Sequence, residues 1–563
     1  VCRTIKNGTD MKNIRCAVSA ATLSFALLLA LATQAQRAGQ EAITACETIE
    51  YDYFFEHLRY LSSDELKGRG VGTAGYDQAA DYLAHAFKQN GLRPFGDNGT
   101  YFQKVPLLKL SVQQRSFTLR VDNKLASITG EYGSNLSVVL NPKQERVEER
   151  QPLAFVGYGN VIPDKNINDY EGVDVRGKTV IVALGGPKGM AHPAFNDRNA
   201  KFANAAARGA TGLILFYPKA SLLQNTIFKK VHGFLSGEML ALADTLVESS
   251  IARKELKLLL FAKKGFVKEI FSLNGLSLRQ ELRRIAKGEP ASKVLESVID
   301  CSYSLNRETV ASHNVVGLLP GRKPGLKAEY VVFGAHLDGL GVGKPVRGDS
   351  IYNGMLDNAS GAAALLSVSK AFNTLGQKPK RSIIFIGYTA EESGLLGSAY
   401  FASRNPIRRG EIVANINIDM LAQTIETADM APLGYSHSNL SEAADFAARA
   451  LGLAIDDNQE AEAKYIERSD QVAFLKKGIP ALFIAGGFTA LDPEEDGKKV
   501  FDKWMDKNYH SPSDDLSQAY APEAFLTAVK FNFLTAYYIA NFLGEIKWNT
   551  DSWLYKKYVL KAK

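Results

Sequence analysis

In this 563-residue chain, the residues best placed to do chemistry sit just past short apolar runs. His336 and Asp338 follow Tyr330–Phe333, Glu391 and Glu392 follow Ile383–Tyr388, and Asp419 ends the run 414–418. Apolar, β-branched runs of this length read as buried parallel strands. Ligands of open α/β sheets bind beyond the carboxyl ends of such strands. Asp357 joins the set because Asn358-Ala359-Ser360-Gly361 reads as a helix start, with a helix expected over 362–372. His510 lies in the turn-rich stretch Asn508-Tyr509-His510-Ser511-Pro512-Ser513-Asp514 and supplies a second imidazole. Two imidazoles with several carboxylates, and no nucleophilic Ser or Cys motif beside them, suit Zn2+ and harder divalent ions.

Taken in order, these residues resemble the M28 family of zinc aminopeptidases. The shared pattern is a His-x-Asp after a strand, an Asp-Asn-x-Ser-Gly, a Glu-Glu pair, an Asp after another strand and a late Tyr-His. The resemblance runs from about 312 to 542 and continues more weakly upstream. It implies a metallo-aminopeptidase holding two Zn2+, with peptides as substrates. His336 and Asp419 would hold one ion, Glu392 and His510 the other, and Asp357 would bridge them. Glu391 would be the general base, Asp338 would orient His336, and Tyr509 would hydrogen-bond the oxyanion. Two ions roughly 3.5–4 Å apart can activate a bridging water while one polarises the scissile carbonyl, leaving an unligated carboxylate to take the proton. Rivals on the same scaffold are a carboxypeptidase, a single-zinc glutaminyl cyclase and a non-catalytic receptor-like relative. His57, His85, His192, His232, His313 and His437 lack this company and are assigned structural or surface roles.

The elements that must position these residues are those of an α/β fold. The resemblance implies a mixed, mostly parallel sheet sandwiched by helices, the zinc exopeptidase fold, with an inserted β-rich protease-associated domain. The expected organisation is an N-terminal helical portion at 36–133, a protease-associated-like insert with helical elaboration at 134–300, a catalytic domain at 301–545 and a tail at 546–563. Gly68-Arg69-Gly70 reads as a surface turn. Within the insert, strand Thr179–Leu184, helix Ala200–Arg208 and strand Gly212–Tyr217 are expected. Lys254–Leu260 and Leu278–Lys287 read as basic, amphipathic runs. Glu467–Phe474 is similar to the family's Ser-Asp-His segment, with Gln471 where His is commoner.

A chain this long exceeds one core, so two or three domains are expected. Its 46% hydrophobic and 23% charged residues are those of an ordinary globular protein. The net charge of +7 is scattered over pairs such as Lys263-Lys264 and Lys556-Lys557, which excludes nucleic acid as a partner. Oligomeric state stays open. Residues 1–10 read as an extension upstream of a start at Met11, and 11–35 as a signal peptide with a basic start, an apolar run Ala17–Ala32 and small residues for cleavage. The product is therefore expected to be secreted or periplasmic, without stable membrane insertion. Ile43-Thr44-Ala45-Cys46 resembles a lipobox, but Arg37 and Glu41 separate it from the apolar run. Loss of Cys2 and Cys16 with the leader leaves Cys46 and Cys301, as one disulfide or as two buried thiols.

Overall fold

Residues buried on both faces of a parallel sheet read as continuous apolar runs, and the runs noted above form such a sheet. The computed structural model describes residues 39–560, except 191, 193–194, 219–227, 229–231, 233–237, 245–246, 248–254 and 423. The expected leader at 11–35 lies outside the described residues. The chain divides into two units, one of Val1–Lys104, His313–Glu392 and Arg404–Lys563, the other of Val105–Ser312 and Ser393–Ser403.

In the first unit, the end of strand Lys293–Leu319 (β1) from His313 onward and strands Glu329–His336 (β2), Ser382–Tyr388 (β3), Glu411–Ile418 (β4), Asp429–Leu433 (β5) and Ala481–Gly486 (β6) lie in the order β1-β3-β2-β4-β6-β5. β1 enters this sheet through Val315–Leu319 and runs antiparallel to β3. β3, β2, β4 and β6 are parallel, and β5 closes the far side antiparallel to β6. The register puts His336 opposite Tyr388 and Ala335 opposite Ile418. Three strand ends carrying chemically useful residues therefore finish side by side.

Helices Tyr51–Leu61 (α1), Ala74–Gln89 (α2), Ser360–Thr374 (α3), Ser441–Leu451 (α4) and Pro522–Asn541 (α5) share one core with the sheet. Phe333 and Phe385 project into it, and Phe372 of α3 meets Phe385 at 6.0 Å and Phe533 of α5 at 5.0 Å between ring centroids. Each such ring buries enough apolar area for about 1.5–3 kcal/mol, so Phe385→Ala is a severe change. On the opposite face, Phe474 of the short helix Gln471–Leu475 lies 6.4 Å from the Tyr388 ring. The hairpin Gly341–Val346 with Asp349–Tyr352 follows β2.

The second unit has its own parallel strands, Arg146–Phe155, Thr179–Ala183, Gly212–Phe216 and Leu258–Ala262, neighbours in that order. Helices Arg198–Ala206, Lys264–Leu273 and Leu278–Ala286 belong to it. The stretch 254–260 is not an amphipathic element where it is described. Leu258–Ala262 is a strand buried along its whole length, its lysines lying before it.

Other expectations are also corrected. The portion 36–133 is helical only to 89. From Phe102 the chain forms strand Phe102–Val112, then the hairpin Thr118–Asp122 with Ser127–Thr129, because buried Val105 and Leu107, then Leu110 and Val112, follow the two-residue period of a strand. Arg69 is not on a surface turn but 1% exposed. The described part of the expected tail, 546–560, docks through Leu554, buried among Leu433, Ile466, Leu475 and Ala481, with the Trp548 indole N–H donating to Gly478 O at 2.8 Å. Cys46 and Cys301 are both free and buried, each packed as an apolar residue in the core of its own unit. Among the described residues, no helix is long and apolar enough to cross a membrane.

Candidate metal centre

β2 ends at His336, β4 ends one residue before Asp419, and β3 ends three residues before Glu391. Asp357 comes from the irregular turn Met355–Ala359 ahead of α3, and His510 from the turn after helix Gly497–Lys507. Two groups of potential ligands result: His336, Asp357 and Asp419, then Asp357, Glu392 and His510. Asp357 belongs to both. Its Oδ1 lies 3.2 Å from His336 Nε2 and its Oδ2 lies 3.2 Å from His510 Nε2. His336 Nε2 is also 3.3 Å from Asp419 Oδ1, and His510 Nε2 is 3.2 Å from Glu392 Oε2.

These separations test the fit of a cation. Donors held tetrahedrally at about 2.0–2.1 Å from an ion stand about 3.3–3.4 Å apart. An N–H serving a single carboxylate would approach nearer to about 2.9 Å. Here each imidazole nitrogen is nearly equidistant from two carboxylate oxygens, which is the spacing of ligand-sphere edges. The chemistry agrees: nitrogen and carboxylate donors without thiolate suit zinc or a harder divalent ion.

The supporting contacts differ from expectation in one respect. Asp338 does not reach the His336 ring through its carboxylate, whose Oδ1 stands 3.9 Å from Nδ1. Its main-chain carbonyl faces Nδ1 at 3.1 Å, and its carboxylate instead accepts the N–H groups of Glu391 and Glu392. The Asp338 carbonyl thus meets the ring while its side chain reaches the loop that follows β3. On the other side, buried Asp514 accepts the N–H of Leu356 at 2.9 Å and of Asp357 at 3.0 Å. Asp514 had no assigned role in the sequence. Its only signal is a carboxylate four residues beyond His510.

Electrostatics follow from crowding acids in a buried place. Burial, reinforced by Asp419 and Glu392, holds the Glu391 carboxyl well above the usual range despite His336. Glu392 is pushed up to about 7 by burial and then by Asp357. Asp357 goes the other way: burial opposes ionisation, but bonds from His336 and His510 hold it below the usual range. Tyr509 stacks on His510 with centroids 3.8 Å apart, and burial followed by Asp357 and Asp419 raises its phenol.

A cavity of about 900 Å³, counted with its open mouth, begins at Asp419 and Tyr509 and is walled by Ala431, Phe483, Phe501 and Met505. A smaller cleft of about 200 Å³ touches Asp357, Glu392, His510 and Tyr352. Gln471 lines neither. It is buried, accepting from Asn417 and donating to Ile466 O. Of the remaining histidines, His437 pairs with buried Glu462, and His57 with the Tyr82 hydroxyl at 2.6 Å.

Comparison with known proteins locates the site in a family. Residues 314–534 match the model of peptidase family M28. The chain is 29% identical over 297 residues to a probable leucine aminopeptidase 2 of Aspergillus oryzae, covering 50% of this chain and 55% of the relative. It spans about half the length of the relatives it matches. Among solved structures it resembles an aminopeptidase from Aneurinibacillus sp. strain AM-1, with a TM-score of 0.49 and 18% identity over 90% of this chain and 97% of that one. It also resembles BSAP, a zinc aminopeptidase from Bacillus subtilis, with a TM-score of 0.43 and 19% identity over 88% and 96%. The matched residues 314–534 carry His336, Asp338, Asp357, Glu391, Glu392, Asp419, Tyr509 and His510, so every candidate site residue lies within the segment that is similar to peptidase family M28.

Proposed function

We propose that this chain is a two-zinc aminopeptidase that removes N-terminal residues from peptides. The observation that carries the reading is the sharing of Asp357, one oxygen toward each of two ligand groups. His336 and Asp419 would hold one ion, Glu392 and His510 the other, with Asp357 common to both. When bound, the ions supply Lewis acidity for the scissile carbonyl and an acidified water as nucleophile.

The protein's own groups do the rest. Glu391 stands beside both groups, outside either. Its raised proton affinity suits a base that takes the water's proton and passes it to the leaving amine. The Tyr509 phenol, kept protonated by its surroundings, donates to the carbonyl oxygen as that oxygen becomes anionic. The cavity walled by Phe483, Phe501 and Met505 receives an apolar N-terminal side chain. The second unit is read as a protease-associated-like insert, and export as the consequence of the pattern at 11–35.

The test is hydrolysis of free and N-acetylated aminoacyl amides by zinc-loaded protein, with and without chelator, and by Glu391→Gln. Release from free amines alone, lost on chelation and lost in Glu391→Gln with zinc retained, is expected. Equal cleavage of acetylated substrates overturns the aminopeptidase reading, and full activity of the Gln variant overturns the base.

A further inference from the structure

Arg69 is among the largest fully buried side chains of the molecule. It comes from a stretch far upstream of the family-matched segment. Burying a guanidinium is costly unless its donors are satisfied and its charge is offset. Both conditions are met without a direct ion pair among the described residues. Nε donates to Leu337 O at 2.9 Å, Nη1 to Asn353 O at 2.7 Å and to Leu61 O, and Nη2 to Gly354 O at 3.1 Å. Burial lowers its pKa to about 10, opposed by Asp338, Asp514, Asp357 and Glu392, so it is charged at neutral pH.

The acceptors fall in two informative places. Leu337 sits between His336 and Asp338, while Asn353 and Gly354 open the loop that delivers Asp357. The flanking backbone repeats the tie: Gly339 N–H donates to Arg69 O at 3.2 Å, and the Asn353 amide donates to Ser62 O at 2.9 Å and Asp64 Oδ1 at 2.8 Å. Gly68, at φ +67°, packs so closely that a Cβ would meet Tyr352 O at 2.4 Å.

We propose that Arg69 is a positioning residue for the metal centre: locked to carbonyls on both ligand-bearing loops, its guanidinium sets the spacing of His336 from Asp357 that two cations require. A planar fork with five donors can span several loops at once, whereas an ammonium cannot. The proposal rests on the two-cation reading above but not on the reaction.

The experiment uses the full chain as wild type, Arg69→Met and Arg69→Lys. Zn2+ affinity is measured by competition with a chromophoric chelator, and site geometry from the visible absorption of Co2+-loaded protein. Both variants are expected to lose zinc affinity about 10–100-fold, the range for residues that orient metal ligands, with altered cobalt spectra. A purely structural brace would lower the melting temperature yet leave the folded protein's affinity and cobalt spectrum unchanged, and that result overturns the proposal. Arg69→Lys keeps charge and stem, so it decides the matter should Arg69→Met fail to fold. Wild-type protein that takes up no zinc overturns the two-cation reading instead.

Discussion

The Asp338 carboxylate accepts the main-chain N–H of Glu391 at 3.0 Å and of Glu392 at 3.3 Å, so a residue after β2 fixes the loop after β3. The backbone of both glutamates is thereby held by one carboxylate. Asp338→Asn turns one acceptor oxygen into an amide donor facing an N–H, which frees that loop. A fall in kcat of about 10–100-fold is expected, with zinc content retained. Steady-state kinetics alongside metal analysis check this, and an unchanged kcat contradicts it.

Side-chain preference should follow the cavity beside Asp419. Ala431 is a buried wall residue of β5, so Ala431→Phe fills the space with a ring. Discrimination by one apolar pocket is worth about 1–3 kcal/mol, so kcat/KM for leucyl substrates should drop roughly 10–100-fold while alanyl substrates lose much less. Parallel losses on both would remove this cavity from substrate recognition.

Acid sensitivity has a specific contributor in His57. Burial, with help from Lys370, holds its pKa down to about 4 against an ordinary 6.5. The folded value lies below the unfolded one, so the contribution is complete above pH 6.5 and is lost as pH falls toward 4. The full loss is about 3 kcal/mol. Urea midpoints of chelated wild type and His57→Phe at several pH values test it. The wild type should weaken more steeply below pH 6.5, and equal slopes would refute the assignment.

Leu554 anchors the C-terminal segment in a small core with Leu433, Ile466, Leu475 and Ala481. Leu554→Ala leaves a cavity there and should cost about 2–4 kcal/mol. Chemical denaturation measures it. A change under half of that would mean the segment contributes little to the first unit.

Much of the site was legible because its signals are local. His336, Asp419 and the Glu391-Glu392 pair each follow an apolar run, and parallel strands of such runs must end together. The α3 helix was legible from its start signal at Asn358-Ala359-Ser360-Gly361 and begins two residues ahead of the expected 362–372. The strands within 102–133 escaped because their short alternation follows a strongly helical stretch. The strand at 258–262 escaped because neighbouring lysines made a buried strand look amphipathic.

By itself, then, the sequence determined the donor types, their order and the strand ends that carry them, since residue chemistry and periodicity are properties of neighbours along the chain. Only the tertiary structure decided that Asp357 divides its two oxygens between His336 and His510, that Asp338 turns its carboxylate to Glu391 and not to His336, and that Arg69 is buried behind both loops. Those relations join residues that are far apart in the chain or are fixed by which side of a loop faces its neighbour. They arise from packing, where a buried charge or peptide N–H must find a partner wherever the fold supplies one.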